Sequence, residues 1–347
     1  MTWIDLRTPQ SSPPAGRFAP TPTGALHVGN AYSALLAVVS ARAQGLRCHL
    51  RVDDLDRQRV RAHNHEAAQL EDLVWLGLSF DPLSSSDTSS SDARSPRSNI
   101  PIYRQSERYH LYERALLALN ERGLLYPCYC TRREVIAAAP HATDEGYIYP
   151  GTCRPAQPAP LNLPQVRATA RRGLLPALRL NVHALPKQLR SASSYTDLIA
   201  GSVRLNPISD LGDFVVQRRD GVYGYQLACA IDDHVSGCVV IARGADLIIS
   251  AHRQRLILSA LGVTPDRLPR YAHAGLVVDE RGARLAKRDQ SISLRGLREA
   301  GVDPAQLRAS LSRALGGPER SEIEQMAQSF QWSQVSRDPV RWSLSSP

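Results

Sequence analysis

The stretch Arg17-Phe-Ala-Pro-Thr-Pro-Thr-Gly-Ala-Leu-His-Val-Gly-Asn30 constrains this 347-residue chain more than any other. An apolar strand end runs into a turn built on Pro20, Pro22 and Gly24, which feeds a helix from Asn30 that stops at Gly45. The prolines fix φ and lack donors, so the turn is rigid. Gly29 leaves room for a backbone to approach a flat ring or a phosphate. The helix start offers free N–H groups and a positive dipole end to an anion, and His27 sits just ahead of it. A strand, a rigid turn, a donor-rich helix start and one imidazole suit a nucleoside triphosphate. The pattern is neither the P-loop nor the dinucleotide fingerprint.

The residues after Gly45 extend the same architecture. Leu46–Val52 alternates and reads as a buried strand, so strand, helix and strand open a parallel α/β sheet. Asp53-Asp-Leu-Asp56 falls at that strand's C-terminal end, where open α/β sheets place their ligands. His65–Gly77 and Gln105–Gly123 have helical spacing, the second with Tyr109, Tyr112, Leu116 and Leu119 along a core side. Between them, 84–99 is nearly all Ser, Asp, Arg and Pro and reads as an exposed insertion. Leu178–Val182 alternates like a strand, and Thr196–Arg204 and Phe214–Tyr225 suggest two strands with a hairpin turn at Asp220-Gly221. Val239–Leu247 reads as a buried strand ending in Arg243-Gly244, followed by a helix over Ile249–Leu261. A basic loop, Arg281–Arg288, precedes two helical stretches, Pro304–Leu315 and Glu319–Phe330.

Six cysteines are few for this length and imply a reducing cytosol without disulfides. Cys128, Cys130 and Cys153 lie within a short span that suits Zn²⁺, which favours thiolates and wants four ligands. The fourth must come from elsewhere, and His141 is one candidate. Cys48, Cys229 and Cys238 sit in apolar runs and are assigned to the core. A formal charge of +9 favours a polyanionic partner. No apolar run reaches membrane-spanning length, and the start lacks a signal peptide's apolar core.

The opening stretch resembles the HIGH motif of class I aminoacyl-tRNA synthetases, in the glutamyl version close to RFAPSPTGxLHxG. Thr21 stands where that motif has Ser, and Asn30 where it has its last His. Arg51-Val-Asp-Asp-Leu-Asp56 is similar to the family's Arg-Ile-Glu-Asp-x-Asp, with Asp53 in place of the Glu that holds the substrate ammonium. An Asp is shorter by one methylene, ~1.5 Å of reach. Tyr225-Gln-Leu-Ala-Cys-Ala-Ile-Asp-Asp233 and Val240-Ile-Ala-Arg243-Gly-Ala-Asp-Leu resemble the runs Tyr-Gln-Leu-Ala-x-x-x-Asp-Asp and Val-x-Arg-Gly-x-Asp-Leu that give the family's amino-acid pocket a Tyr and an Arg. Arg281–Arg288 resembles the KMSKS loop, with Lys287 on its second Lys, Arg284 replacing the first Lys and Ala286 the Ser. The short glutamyl-Q branch carries Cys-x-Cys followed by Tyr-x₃-Cys, with the Tyr oxygen as a zinc ligand. That pattern falls on Cys128, Cys130, Tyr149 and Cys153.

The resemblance implies a class I synthetase Rossmann-like α/β catalytic domain, an inserted zinc-binding subdomain and a short helical C-terminal region. The expected organisation is a flexible leader (1–15), a first catalytic half (16–125), a zinc-knob insertion (126–175), a second catalytic half (176–290) and a helical end (291–347). It implies ATP as a substrate, with Mg²⁺, and one Zn²⁺ per chain. His27 and Lys287 would be catalytic, and Pro20, Thr21, His27, Gly29, Asn30 and Lys287 would bind ATP. Arg17, Phe18, Ala19, Pro20, Thr21, Asp53, Tyr225 and Arg243 would hold L-glutamate. The implied reaction makes glutamyl-adenylate and passes glutamate to the queuosine base in the anticodon of tRNA(Asp), in the cytoplasm and as a monomer. Two other readings stay open: a truncated glutamyl-tRNA synthetase charging the tRNA 3′ end, and a non-catalytic tRNA-binding paralogue.

Overall fold

A computed structural model describes residues 13–56, 60, 65–83, 100–138, 142–143, 146–170, 173–279, 282 and 293–343. The serine-rich insertion, His141 and the basic loop bearing Lys287 lie outside the described residues.

The opening stretch folds as strand β1 (Ala15–Phe18), the proline turn and helix α1 (Val28–Ala43). β1 begins at Ala15, the last residue assigned to the leader. α1 is apolar on nearly every side, as a helix sunk between other elements must be. It ends at Gly45, whose φ of 65° is the left-handed conformation glycine adopts freely. Strand β2 (Arg47–Val52) then pairs parallel to β1, and strand β3 (Tyr103–Arg104) pairs parallel to β2.

On its other edge β1 meets the chain's second half. The Ala15 N–H donates to Gly237 O (2.9 Å), and Ala15 O accepts from Val239 N–H (2.8 Å). Strand Val240–Gly244 continues that edge and pairs parallel with Arg270–Ala274 through helix Ile248–Ala260. The order is therefore β3, β2, β1, 240–244, 270–274. The two crossovers run outward in opposite directions from the boundary between β1 and strand 240–244. This is a topological switch point, where open α/β sheets leave a crevice at their C-terminal ends.

A separate antiparallel sheet places Ala177–Leu180 between Leu125–Cys128 and Phe214–Gln217. Here the expected strand Phe214–Tyr225 is shortened. The turn at Asp220-Gly221 forms, with Gly221 at φ 82°, but its far side is a single bridge from Gln217 to Tyr223. Gly224 then donates to Val216 O, with no room for a Cβ beside Val215 O, and helix Tyr225–Val235 begins. Thr196–Arg204 folds back on itself as a small hairpin, Tyr195–Asp197 against Gly201–Val203. Leu198 N–H donates to Tyr271 O, so this hairpin lies along the edge of the parallel sheet.

The helical end does not stand apart. Leu307, Leu311 and Leu315 of helix Pro304–Ala314 and its following turn join Met326 and the buried residues of α1 in one core. A second core gathers helix Tyr109–Glu121, the antiparallel sheet and helices 225–235 and 248–260. It includes Tyr112, Leu116 and Leu119, with Tyr109 packed at its margin.

Candidate active site

The crevice at the switch point is a cavity of about 600 Å³. The residues expected on the ATP side, Pro20, Thr21, His27, Gly29 and Asn30, all line it. So do Arg17, Phe18, Ala19, Asp53, Tyr225 and Arg243, which come from separate segments of the chain. Each segment delivers its residues from the C-terminal end of a parallel strand or the helix beside it.

The signature turn is held from both sides. The Asn30 side-chain oxygen accepts from His27 N–H (3.1 Å), capping α1. Gly29 has a reason beyond backbone approach, since a Cβ there would sit 3.0 Å from the His27 ring. The Gln69 amide, on helix Glu66–Trp75, donates to Thr21 O (3.1 Å) and Gly24 O (2.7 Å). On the far side, Leu294 N–H donates to Leu26 O, so the chain re-emerges against this turn directly after the basic loop.

The pocket floor is a buried ion network that sequence reasoning did not foresee. Arg51 is fully buried and donates through Nε and Nη2 to the Asp53 oxygens (2.5 and 3.3 Å) and through Nη1 to Asp233 (2.6 Å). Arg17 also clasps Asp233, through Nε (3.1 Å) and Nη2 (3.4 Å). Burial opposes ionisation of Asp233, but Arg17 and Arg51 hold its carboxyl below the ordinary value. At Asp53 burial dominates and pushes the carboxyl up, against the pull of Arg51. Cys229, assigned to the core, is buried but belongs to this network, 3.3 Å from Arg51 Nη2 and 3.7 Å from Asp53 Oδ2. Arg51 and Asp233 each lie in a motif string, but nothing local marks them as partners, because their pairing spans 182 residues.

Arg243 differs from both other guanidinium groups. It is only 5% exposed, yet every hydrogen bond it makes among the described residues ends on a neutral group. Nε donates to His273 Nε2, Nη1 to Gln254 Oε1 and Nη2 to Leu247 O, all at 3.1 Å. Its positive charge is therefore hydrogen-bonded to no carboxylate among the described residues, although it helps hold the Asp233 carboxyl down and Asp246 lines the same cavity. Tyr225 stands at the mouth of the cavity, 37% exposed.

A second convergence lies on the antiparallel sheet. The Sγ atoms of Cys128, Cys130 and Cys153 fall within 4.8 Å of one another. The Tyr149 hydroxyl lies 3.5 Å from Cys128 Sγ and 3.6 Å from Cys130 Sγ, and Cys130 and Cys153 Sγ are 3.6 Å apart. A tetrahedral zinc with three sulfurs and one oxygen has ligand–ligand edges of roughly 3.5–3.8 Å. The four donors fit such an ion in kind and spacing. The Arg179 guanidinium packs over the Tyr149 ring at 3.7 Å, and Tyr149 Oη accepts from Cys153 N–H (2.8 Å).

Comparison with known proteins agrees with this architecture. Residues 15–342 match the family model of the class I tRNA synthetase (E and Q) catalytic domain. A glutamyl-Q tRNA(Asp) synthetase of Symbiobacterium thermophilum is 44% identical over 332 residues, covering 94% of this chain and 95% of that protein. Glutamate–tRNA ligase 2 of Nitrosococcus oceani is 33% identical, over 94% of this chain and 65% of that protein. A solved glutamate tRNA ligase from Elizabethkingia meningosepticum shares the fold, with a TM-score of 0.65 at 23% identity over 95% of this chain and 67% of that one. No helix among the described residues is long and apolar enough to cross a membrane. The chain belongs to the class I tRNA synthetase (E and Q) family of ligases, in the branch of the glutamyl-Q tRNA(Asp) synthetases.

Proposed function

We propose that this chain uses ATP to activate L-glutamate and transfers the glutamyl group to the queuosine base in the anticodon of tRNA(Asp), in the cytoplasm. The observation that carries the amino-acid choice is Arg243. A buried guanidinium bonded only to neutral acceptors is costly unless an anion arrives to pair with it. Arg17 and Arg51 are already paired with Asp233 and Asp53, whereas Arg243 is hydrogen-bonded to no carboxylate among the described residues. A planar fork on a carboxylate is the pairing guanidinium makes best.

The remaining roles follow from position. Asp53, with both oxygens already on Arg51, offers its outer lone pairs to the substrate ammonium. Arg17 keeps Nη1 outside its pair with Asp233, a donor left for the ligand among the described residues. His27 and the first N–H groups of α1 would face the phosphates, joined by Lys287 from the basic loop, with Mg²⁺ on the triphosphate. The glutamate α-carboxylate is already ionised and attacks the α-phosphorus without a general base, and pyrophosphate leaves. Cys128, Cys130, Cys153 and Tyr149 would hold one Zn²⁺, which clamps the knob mechanically and takes no part in the chemistry.

Identity favours the queuosine acceptor over the tRNA 3′ end, at 44% to a glutamyl-Q tRNA(Asp) synthetase against 33% to a glutamate–tRNA ligase. The test is glutamylation of tRNA(Asp) with and without queuosine, alongside glutamate-dependent ATP–pyrophosphate exchange. Labelling is expected only with queuosine. Equal labelling of both tRNAs would transfer the activity to the 3′ end, and absent exchange would make the chain a binder.

A further inference from the structure

Arg243 is set in place by a chain of side chains behind the pocket, none of which the ligand would touch. His273 lies directly opposite Arg243 in the parallel pairing of strands 240–244 and 270–274. Its ring is fully buried and stacks on Tyr271, with an interplanar angle of 7°. His273 Nε2 receives the Arg243 Nε–H at 3.1 Å, and Nδ1 lies 2.7 Å from Asp197 Oδ2. A guanidinium can only donate, so in the bond from Arg243 the Nε2 atom accepts and the ring proton sits on Nδ1, facing Asp197, while Leu247 O, which also accepts from Arg243 Nη2, is a further acceptor beside the ring. Asp197 is itself fixed, because its Oδ1 accepts from the backbone N–H of Ile199, Ala200 and His273.

We propose that Asp197 and His273 are positioning residues that hold Arg243 in the orientation its substrate carboxylate requires while leaving its charge unspent. This deepens the proposed glutamate reading and rests on it. A carboxylate placed directly on Arg243 would orient it equally well, but would form the ion pair reserved for the ligand. A neutral imidazole between them passes on the orientation and keeps the anion one ring away. The same arrangement, carboxylate to histidine to a charged centre, orients ligands at metal sites. Burial drives the His273 ring down to about 4, against the pull of Asp197, consistent with a ring that stays neutral at working pH. The titratable and charged groups around it are Asp197, Arg243, Tyr195, Tyr271 and, behind Tyr195, His252.

Two substitutions divide the histidine's two bonds. His273→Asn reaches as far as Nδ1 and keeps a donor to Asp197 but loses the acceptor for Arg243. His273→Gln reaches as far as Nε2 and keeps that acceptor. In ATP–pyrophosphate exchange, His273→Asn is expected to raise the KM for glutamate about tenfold or more, with the KM for ATP unchanged. His273→Gln is expected to stay within about threefold of wild type. Asp197→Asn, which permits the wrong tautomer, is expected to behave like His273→Asn. Equal rises in both KM values, or no rise, would overturn the proposal. A second readout needs no activity: ¹⁵N shifts of the imidazole, assigned by difference with His273→Asn. They should report a neutral Nδ1–H ring from about pH 5 to 8. A ring in the Nε2–H form, or one protonated near pH 6.5, would overturn the relay. Wild-type protein silent with glutamate would sink the functional reading alone, and the shifts would still decide this one.

Discussion

The switch-point pocket and the cysteine cluster are both convergences of polar side chains, held together in opposite ways. In the pocket, Arg17 and Arg51 each find a carboxylate across long stretches of chain, and the network is buried and self-paired. In the cluster, three thiols and a phenol bring lone pairs together. The cationic side chain found against it, Arg179, lies over the ring face of Tyr149 and not on the donors. The helix that follows Cys130, Arg132–Ala138, buries no residue. The pocket's shape is thus stored in ion pairs within the protein, whereas the cluster's donors are aligned without any cation of the described residues on them, a set compatible with a metal ion. Within the pocket a second contrast appears. Arg51 is paired with carboxylates of the protein, and Arg243 is bonded only to neutral groups among the described residues.

The largest expected effects separate those two arginines. Arg51→Met leaves Asp53 and Asp233 short of a buried partner, and should cost about 3–5 kcal/mol of stability, read by denaturant unfolding. Arg243→Met removes a charge the folded protein does not neutralise. It should lower kcat/KM for glutamate about 1,000-fold, roughly 4 kcal/mol, while the melting temperature holds or rises. A large drop in stability for Arg243→Met would mean that its charge is structural, and the contrast would fail. Chelation comes next. Removing the metal should loosen the segment that carries the already exposed Arg132 and Arg133, so that trypsin cuts there faster, and should abolish transfer to tRNA, with ATP–pyrophosphate exchange kept within about twofold. Loss of exchange in parallel would show that the pocket leans on the knob.

Much of the scaffold is legible in the sequence because it is written locally. The proline turn, the apolar helix behind it and the alternation of Leu46–Val52 announce β1, α1 and β2 within a few residues of their ends. The segment Phe214–Tyr225 misleads because its apolar pattern continues past the point where Gly224 lets the backbone turn into a helix. The residues expected around the cavity come from motif strings, each string short and contiguous. What stays hidden is everything that depends on pairing across the sheet. Asp233 closes a motif string that names no partner for it, and His273 belongs to no motif string at all. Their roles follow from register, which sets Arg243 opposite His273 and brings Arg17 and Arg51 to one carboxylate.

Two smaller effects probe how the signature turn is braced. Gln69→Leu deletes two hydrogen bonds to the carbonyls of Thr21 and Gly24 and should raise the KM for ATP about tenfold, at about 0.5–1.5 kcal/mol per bond. Asp72, three residues on in the same helix, gives the sharpest pH signature. Its side chain is buried, neither oxygen has a hydrogen bond, and Arg298 approaches only to 3.8 Å. Burial pushes its carboxyl from 3.8 to about 6, opposed by Arg298 and Arg295 and reinforced by Glu71 and Glu299. A folded-state value above the unfolded one means stability is greatest where the group is protonated in both states. That stability is lost as pH rises from about 4 through 6. Asp72→Asn should therefore match wild type near pH 4 and exceed it by about 2 kcal/mol at pH 8, measured by urea unfolding at both values. An equal gain at both pH values would assign the effect to packing. A loss at pH 8 would show that the Arg298 attraction outweighs burial, and that this acid is part of the brace between helices 66–75 and 294–299.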